Sequence, residues 1–84
     1  MTASLKLPLL NLVVNGEPRR IAPGATIADL VASLELDAKK VAVERNAIIV
    51  PRSTLADVLL EDGDTLEIVH FVGGGDVPLG AEDT

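Results

Sequence analysis

Hydrophobic residues fall along this chain in short runs separated by turn residues. Residues 9–14 are strongly β-prone and end at Asn15-Gly16. Asn-Gly between apolar runs signals a hairpin, because both residues tolerate positive φ. A short second strand is expected at residues 19–22, with Pro18 in the turn or on a sheet edge, since it has no N–H to donate. After the Pro23-Gly24 turn, Ile27, Leu30, Val31 and Leu34 repeat at helical spacing. Thr26 stands in the N-cap position and Asp29 in the capping-box position, where Asp is a weaker partner than Glu. The spacing predicts a helix over 27–35 with one apolar face packed on a sheet.

Beyond the helix, Lys39-Lys40 reads as a solvated loop. Residues 41–44 predict a strand, Arg45-Asn46 a turn, and 48–50 another strand that Pro51 stops. Residues 53–60 predict a short helical turn or an irregular crossing segment. Glu61-Asp62-Gly63-Asp64 is a polar turn, with Gly63 supplying positive φ. A final strand is expected at 65–72, and its long apolar stretch suits a central position in the sheet. Together these elements predict an α+β layer with one helix across a mixed sheet of four to five strands. Residues 1–8 read as a leader, 9–72 as the domain and 73–84 as a flexible, Gly-rich acidic tail.

Composition narrows the functions open to such a domain. The chain has 84 residues, 48% hydrophobic, and one aromatic residue, Phe71. That is enough for one aliphatic core and a thin stability margin. There is no cysteine, which excludes a disulfide framework, a thiolate zinc site and a cysteine nucleophile. It is also compatible with a reducing, cytoplasmic setting. No apolar run approaches the ~20 residues that span a bilayer, so no membrane role is expected. The formal net charge of −6 disfavours nucleic acid and suits either a basic partner or simple solubility. No phosphate loop or nucleophile elbow is present, and His70 is the single histidine, without an obvious partner for metal or general-base work. Asp62 and Asp64 supply too few oxygens for a hard-cation site, so none is expected.

An ordered set of segments carries more information than any one of them. Val14-Asn15-Gly16, the Thr26-to-Leu34 helix, Val43-Glu44-Arg45-Asn46, Ile49-Val50-Pro51-Arg52, Asp62-Gly63-Asp64, and a last strand running through Val72 into the Gly73-Gly74-Gly75 run follow one another. In that order they resemble the thiamine-biosynthesis sulfur carrier proteins of the ThiS family, over roughly residues 10–75. The resemblance implies a ubiquitin-like β-grasp fold and a protein co-substrate that is not itself an enzyme. It implies that an E1-like adenylyltransferase uses ATP to adenylate the terminal glycine carboxylate, here Gly75, with Gly74 beside it. The adenylate becomes a thiocarboxylate, and thiazole synthase takes the sulfur. No cofactor bound to the carrier is implied.

Glycine suits that task. Lacking a side chain, it passes a narrow channel and takes φ values other residues avoid. Three extended residues reach ~10 Å beyond the body. One departure from the family pattern matters: nine residues, Asp76 to Thr84, follow Gly75. A peptide-bonded glycine has no carboxylate to adenylate. The overhang is trimmed, or the chain works unmodified in another role, or the nine residues are not a native end. Two alternatives to the thiamin carrier therefore stay open. One is a carrier like the small subunit of molybdopterin synthase, against which only residues 49–52 argue. The other is a non-covalent β-grasp binding module. Arg52, His70, Phe71 and Gly73 are candidate partner-docking residues. The plainer readings are a surface charge for Arg52, an ordinary strand position for His70, a core residue for Phe71 and a linker glycine for Gly73.

Overall fold

The computed structural model describes residues 8–71. Five strands, β1 (Leu10–Val14), β2 (Glu17–Ile21), β3 (Val41–Arg45), β4 (Ile48–Val50) and β5 (Thr65–His70), form one sheet in the order β2-β1-β5-β3-β4. The β1–β5 pair is parallel and the others are antiparallel. One helix, α1 (Ile27–Ser33), packs on the sheet through Ile27, Leu30 and Val31. The expected α+β layering is found, and β5 lies in the middle of the sheet. The leader falls almost entirely, and the tail wholly, outside the described residues.

The β1–β2 turn is the expected Asn15-Gly16, with φ of 52° and 83°. Positive φ at both central residues matches the twist of the strands they join. A two-residue turn lets pairing resume at once, so β2 begins at Glu17 rather than at residue 19, and it ends at Ile21 rather than 22. Pro18 is tolerated because β2 is an edge strand. It lies opposite Val13, one step beyond the hydrogen-bonded pair that closes the turn, so its missing donor would have faced away from β1.

Helix α1 starts where expected. Thr26 Oγ1 accepts from Asp29 N at 3.1 Å and Asp29 Oδ2 accepts from Thr26 N at 2.9 Å, a complete capping box built with Asp. Two further first-turn donors, Ile27 N and Ala28 N, reach Val58 O and Leu55 O at 3.0 and 2.9 Å. The crossing segment after β4 thus satisfies groups that a helix start leaves open. That segment contains a short 3-10 turn, Arg52–Thr54. The helix ends two residues earlier than expected. Glu35 takes φ 63°, and Leu36 N and Glu35 N bond back to Val31 O and Ala32 O. This is the Schellman closure, with Glu in the left-handed position usually held by glycine. Lys39-Lys40, expected in a loop, belong to a second 3-10 turn, Ala38–Lys40, capped by Asp37.

The β3–β4 turn is Asn46-Ala47, one residue beyond the expected Arg45-Asn46, with φ of 52° and 72°. Positive φ is unfavourable for alanine. Three hydrogen bonds hold the turn: Asn46 N to Thr65 O at 2.7 Å, Thr65 N to Asn46 Oδ1 at 3.0 Å, and Asn46 Nδ2 to Asp64 Oδ1 at 3.0 Å. The core collects Leu12 and Val14 from β1, the three helix residues, Val41 and Val43 from β3, Leu55 and Leu60 from the crossing segment, and Leu66 and Ile68 from β5.

Candidate functional site

The candidate site is the end of β5, where the chain leaves the domain toward Gly73. Its position is fixed by how β5 is held. Asn15 clamps β5 from the β1–β2 turn: Ile68 N donates to Asn15 Oδ1 at 2.7 Å, and Asn15 Nδ2 donates to Ile68 O at 3.1 Å. Its backbone N–H reaches Leu66 O at 2.9 Å. Asn46 holds Thr65 from the β3–β4 turn: its Oδ1 accepts from Thr65 N at 3.0 Å and its backbone N–H donates to Thr65 O at 2.7 Å. Two turn asparagines therefore grip the central strand from both sides.

Asp64 secures the entry to β5. It is 5% exposed, and Glu61 N, Arg45 Nε and Asn46 Nδ2 donate to its carboxylate at 2.8, 3.0 and 3.0 Å. Burial alone would push its carboxyl up. The donors from Glu61 N, Asn46 and Arg45, with the Arg45 charge, outweigh burial and hold it below its ordinary value of 3.8. The sequence marks this residue only as part of a turn, and its partners lie 18 and 19 positions away. Asp62, by contrast, stays at the surface and accepts from Asn11 N at 2.7 Å. Gly63 takes the expected positive φ, 92°.

Two of the predicted docking residues, Arg52 and Phe71, meet at the exit. Phe71 N donates to Lys40 O at 2.8 Å, which continues the β5–β3 pairing one step past His70. Arg52 Nη1 donates to Lys39 O at 2.9 Å, the neighbouring carbonyl. Phe71 is half-buried, so it is neither a full core residue nor a free surface ring. With Arg52, Pro51, Ile49 and Ala42 it lines an open groove of ≈ 360 Å³. His70 is exposed at the last position of β5. Lys39, Lys40 and Arg52 thus give the exit corner a cationic character in a chain of net charge −6. Gly73, Gly74 and Gly75 lie outside the described residues.

Among the described residues there is no group of three or more His, Asp or Glu that could hold a metal ion, and no helix is long and apolar enough to cross a membrane.

Comparison with known proteins fits this fold. The ThiS family model matches residues 12–75. A sulfur carrier protein ThiS from Bacillus subtilis is 54% identical over 50 residues, covering 60% of this chain and 76% of that protein. A thiazole synthase from Paramagnetospirillum magneticum is 52% identical over 66 residues, 79% of this chain. The chain spans about a fifth of the length of the thiazole synthases it matches. The crystal structure of a thiamine biosynthesis protein (ThiS) from Geobacter metallireducens aligns with a TM-score of 0.66 at 33% identity, covering 79% of this chain and 100% of that one. With a mixed sheet in the order β2-β1-β5-β3-β4, one helix across it and a family match over most of its length, this chain is a ubiquitin-like β-grasp protein and belongs to the ThiS family.

Proposed function

We propose that this chain is the sulfur carrier protein of thiamin (thiazole) biosynthesis, with Gly75 as the residue that carries sulfur and Gly74 beside it in the threading tail. One observation carries the reading: the family match continues past the folded domain through all three glycines and stops at Gly75. The names of the relatives support the thiazole branch over a molybdopterin carrier.

The chemistry follows from a carboxylate being a poor electrophile. An E1-like adenylyltransferase lets the Gly75 carboxylate attack the α-phosphorus of ATP, releasing pyrophosphate. A sulfur nucleophile then displaces AMP from the acyl carbon and leaves a thiocarboxylate. Thiazole synthase accepts that sulfur. The carrier acts as a co-substrate and is not a catalyst; the ATP binds to the activating enzyme. We place this exchange in the cytoplasm.

The carrier's own contribution is positional. The asparagine clamps and the Asp64 cluster fix β5, the strand that precedes the glycines in sequence. The short tail loses entropy when it threads into a partner, and most affinity must come from the folded body. Arg52, His70 and Phe71 at the exit, followed by Gly73, are the first groups a partner meets around the tail.

Gly75 is joined to Asp76 in this sequence. The reading therefore requires hydrolysis of that bond before adenylation. Incubation with the activating enzyme and ATP tests this. A chain ending at Gly75 is expected to release pyrophosphate, and the chain extending through Thr84 is not. Equal inactivity of both forms would favour a non-covalent binding module.

A further inference from the structure

Among the described residues, nothing covers the face of the sheet opposite α1. The alternation of the strands places Val13, Ala42, Ile49 and Val69 on it, together with Glu44 and Glu67. Ile49 is 72% exposed and Val69 58%. Glu44 and Glu67 are register partners on β3 and β5. Residues directly opposite on one sheet face have Cβ atoms about 5 Å apart, and like charges in that position are destabilising. Among the described residues, neither carboxylate has a hydrogen bond or an ion pair. Arg20 stands on the same face but two strands away from β5.

An apolar patch centred on two adjacent carboxylates has a definite complement. A purely apolar partner would desolvate both charges without compensation, and an acidic one would be repelled. A partner that brings a cation between apolar side chains satisfies both parts of the surface. We infer that the Glu44–Glu67 pair and the Ile49, Ala42 and Val69 side chains around it form the docking surface for thiazole synthase, which would present one Arg or Lys side chain ringed by apolar ones. The inference rests on the carrier reading. Its choice of occupant follows from the P. magneticum protein, where a segment similar to this chain is covalently part of a thiazole synthase.

Such a surface trades stability for recognition. The test measures both in the full chain, using purified thiazole synthase from the same organism as the probe. The double variant Glu44→Gln, Glu67→Gln is expected to melt about 2–4 °C higher than the parent, because the repulsion is gone. It is expected to bind the synthase about tenfold more weakly, with the salt sensitivity of the parent complex lost. Ile49→Ser should weaken binding without removing the salt sensitivity. Unchanged affinity in the double variant overturns the docking surface and leaves the carrier reading standing. A parent chain that does not bind the synthase at all overturns both.

Discussion

Gly74→Val is expected to leave the domain folded and to abolish charging of Gly75. The substitution lies beyond β5, outside every hydrogen bond and core contact described, so the melting temperature should match that of the parent. The loss falls on chemistry. A branched side chain narrows the φ range of the tail and adds width where the backbone must pass a channel into an active site. Displacement of a reacting group by about 1 Å costs on the order of a hundredfold in rate. In a chain ending at Gly75, pyrophosphate release with the activating enzyme should therefore fall at least about a hundredfold. Gly74→Ala should fall between the two. Normal turnover of the valine variant would show that the tail does not thread.

Asp64→Ala is expected to produce the opposite pattern: a damaged fold with the tail chemistry untouched. It removes the acceptor shared by Arg45, Asn46 and the Glu61 N–H, and leaves a half-buried guanidinium without its partner. Losses of this kind run about 2–4 kcal/mol, a large share of the stability of a small domain. Melting should drop by on the order of 10–25 °C. Asp62→Ala, at the surface of the same turn, should shift it far less. The pH dependence has a fixed sign. Asp64 titrates lower in the folded chain than unfolded, so its contribution is complete above pH 3.8 and is lost as pH falls through the depressed folded value. Thermal melts from about pH 5 down to about pH 2 should show the parent losing stability more steeply than Asp64→Asn.

The parts of this fold visible in the sequence were those that use standard local chemistry. Asn15-Gly16 announced the first hairpin, Thr26 and Asp29 the helix start, and the apolar stretch of β5 its central place. Two of the misplaced boundaries, the helix end and the second turn, are positions where a residue other than glycine holds positive φ. Glu35 closes the helix and Ala47 makes the second turn, and neither residue type signals that conformation. Tertiary hydrogen bonds, rather than local preference, secure Ala47's turn through Asn46.

The candidate site divides in the same way. Arg52 and Phe71 were recognisable as docking candidates, but their meeting on the adjacent Lys39 and Lys40 carbonyls needed the β3–β5 register. The clamp of Asn15 on Ile68 spans 53 positions, and no local pattern predicts it. The facing pair Glu44–Glu67 became apparent only once β5 was placed beside β3. The glycines themselves were plain in the sequence, because the role proposed for them depends on the side chains they lack.

Intact-mass analysis of the protein isolated from cells growing without added thiamin tests the central claim most directly. The account predicts a polypeptide whose last residue is Gly75, with a fraction heavier by ~16 Da where sulfur has replaced one carboxylate oxygen. Thiamin-producing cells in which every copy continues past Gly75 into Asp76 would contradict it.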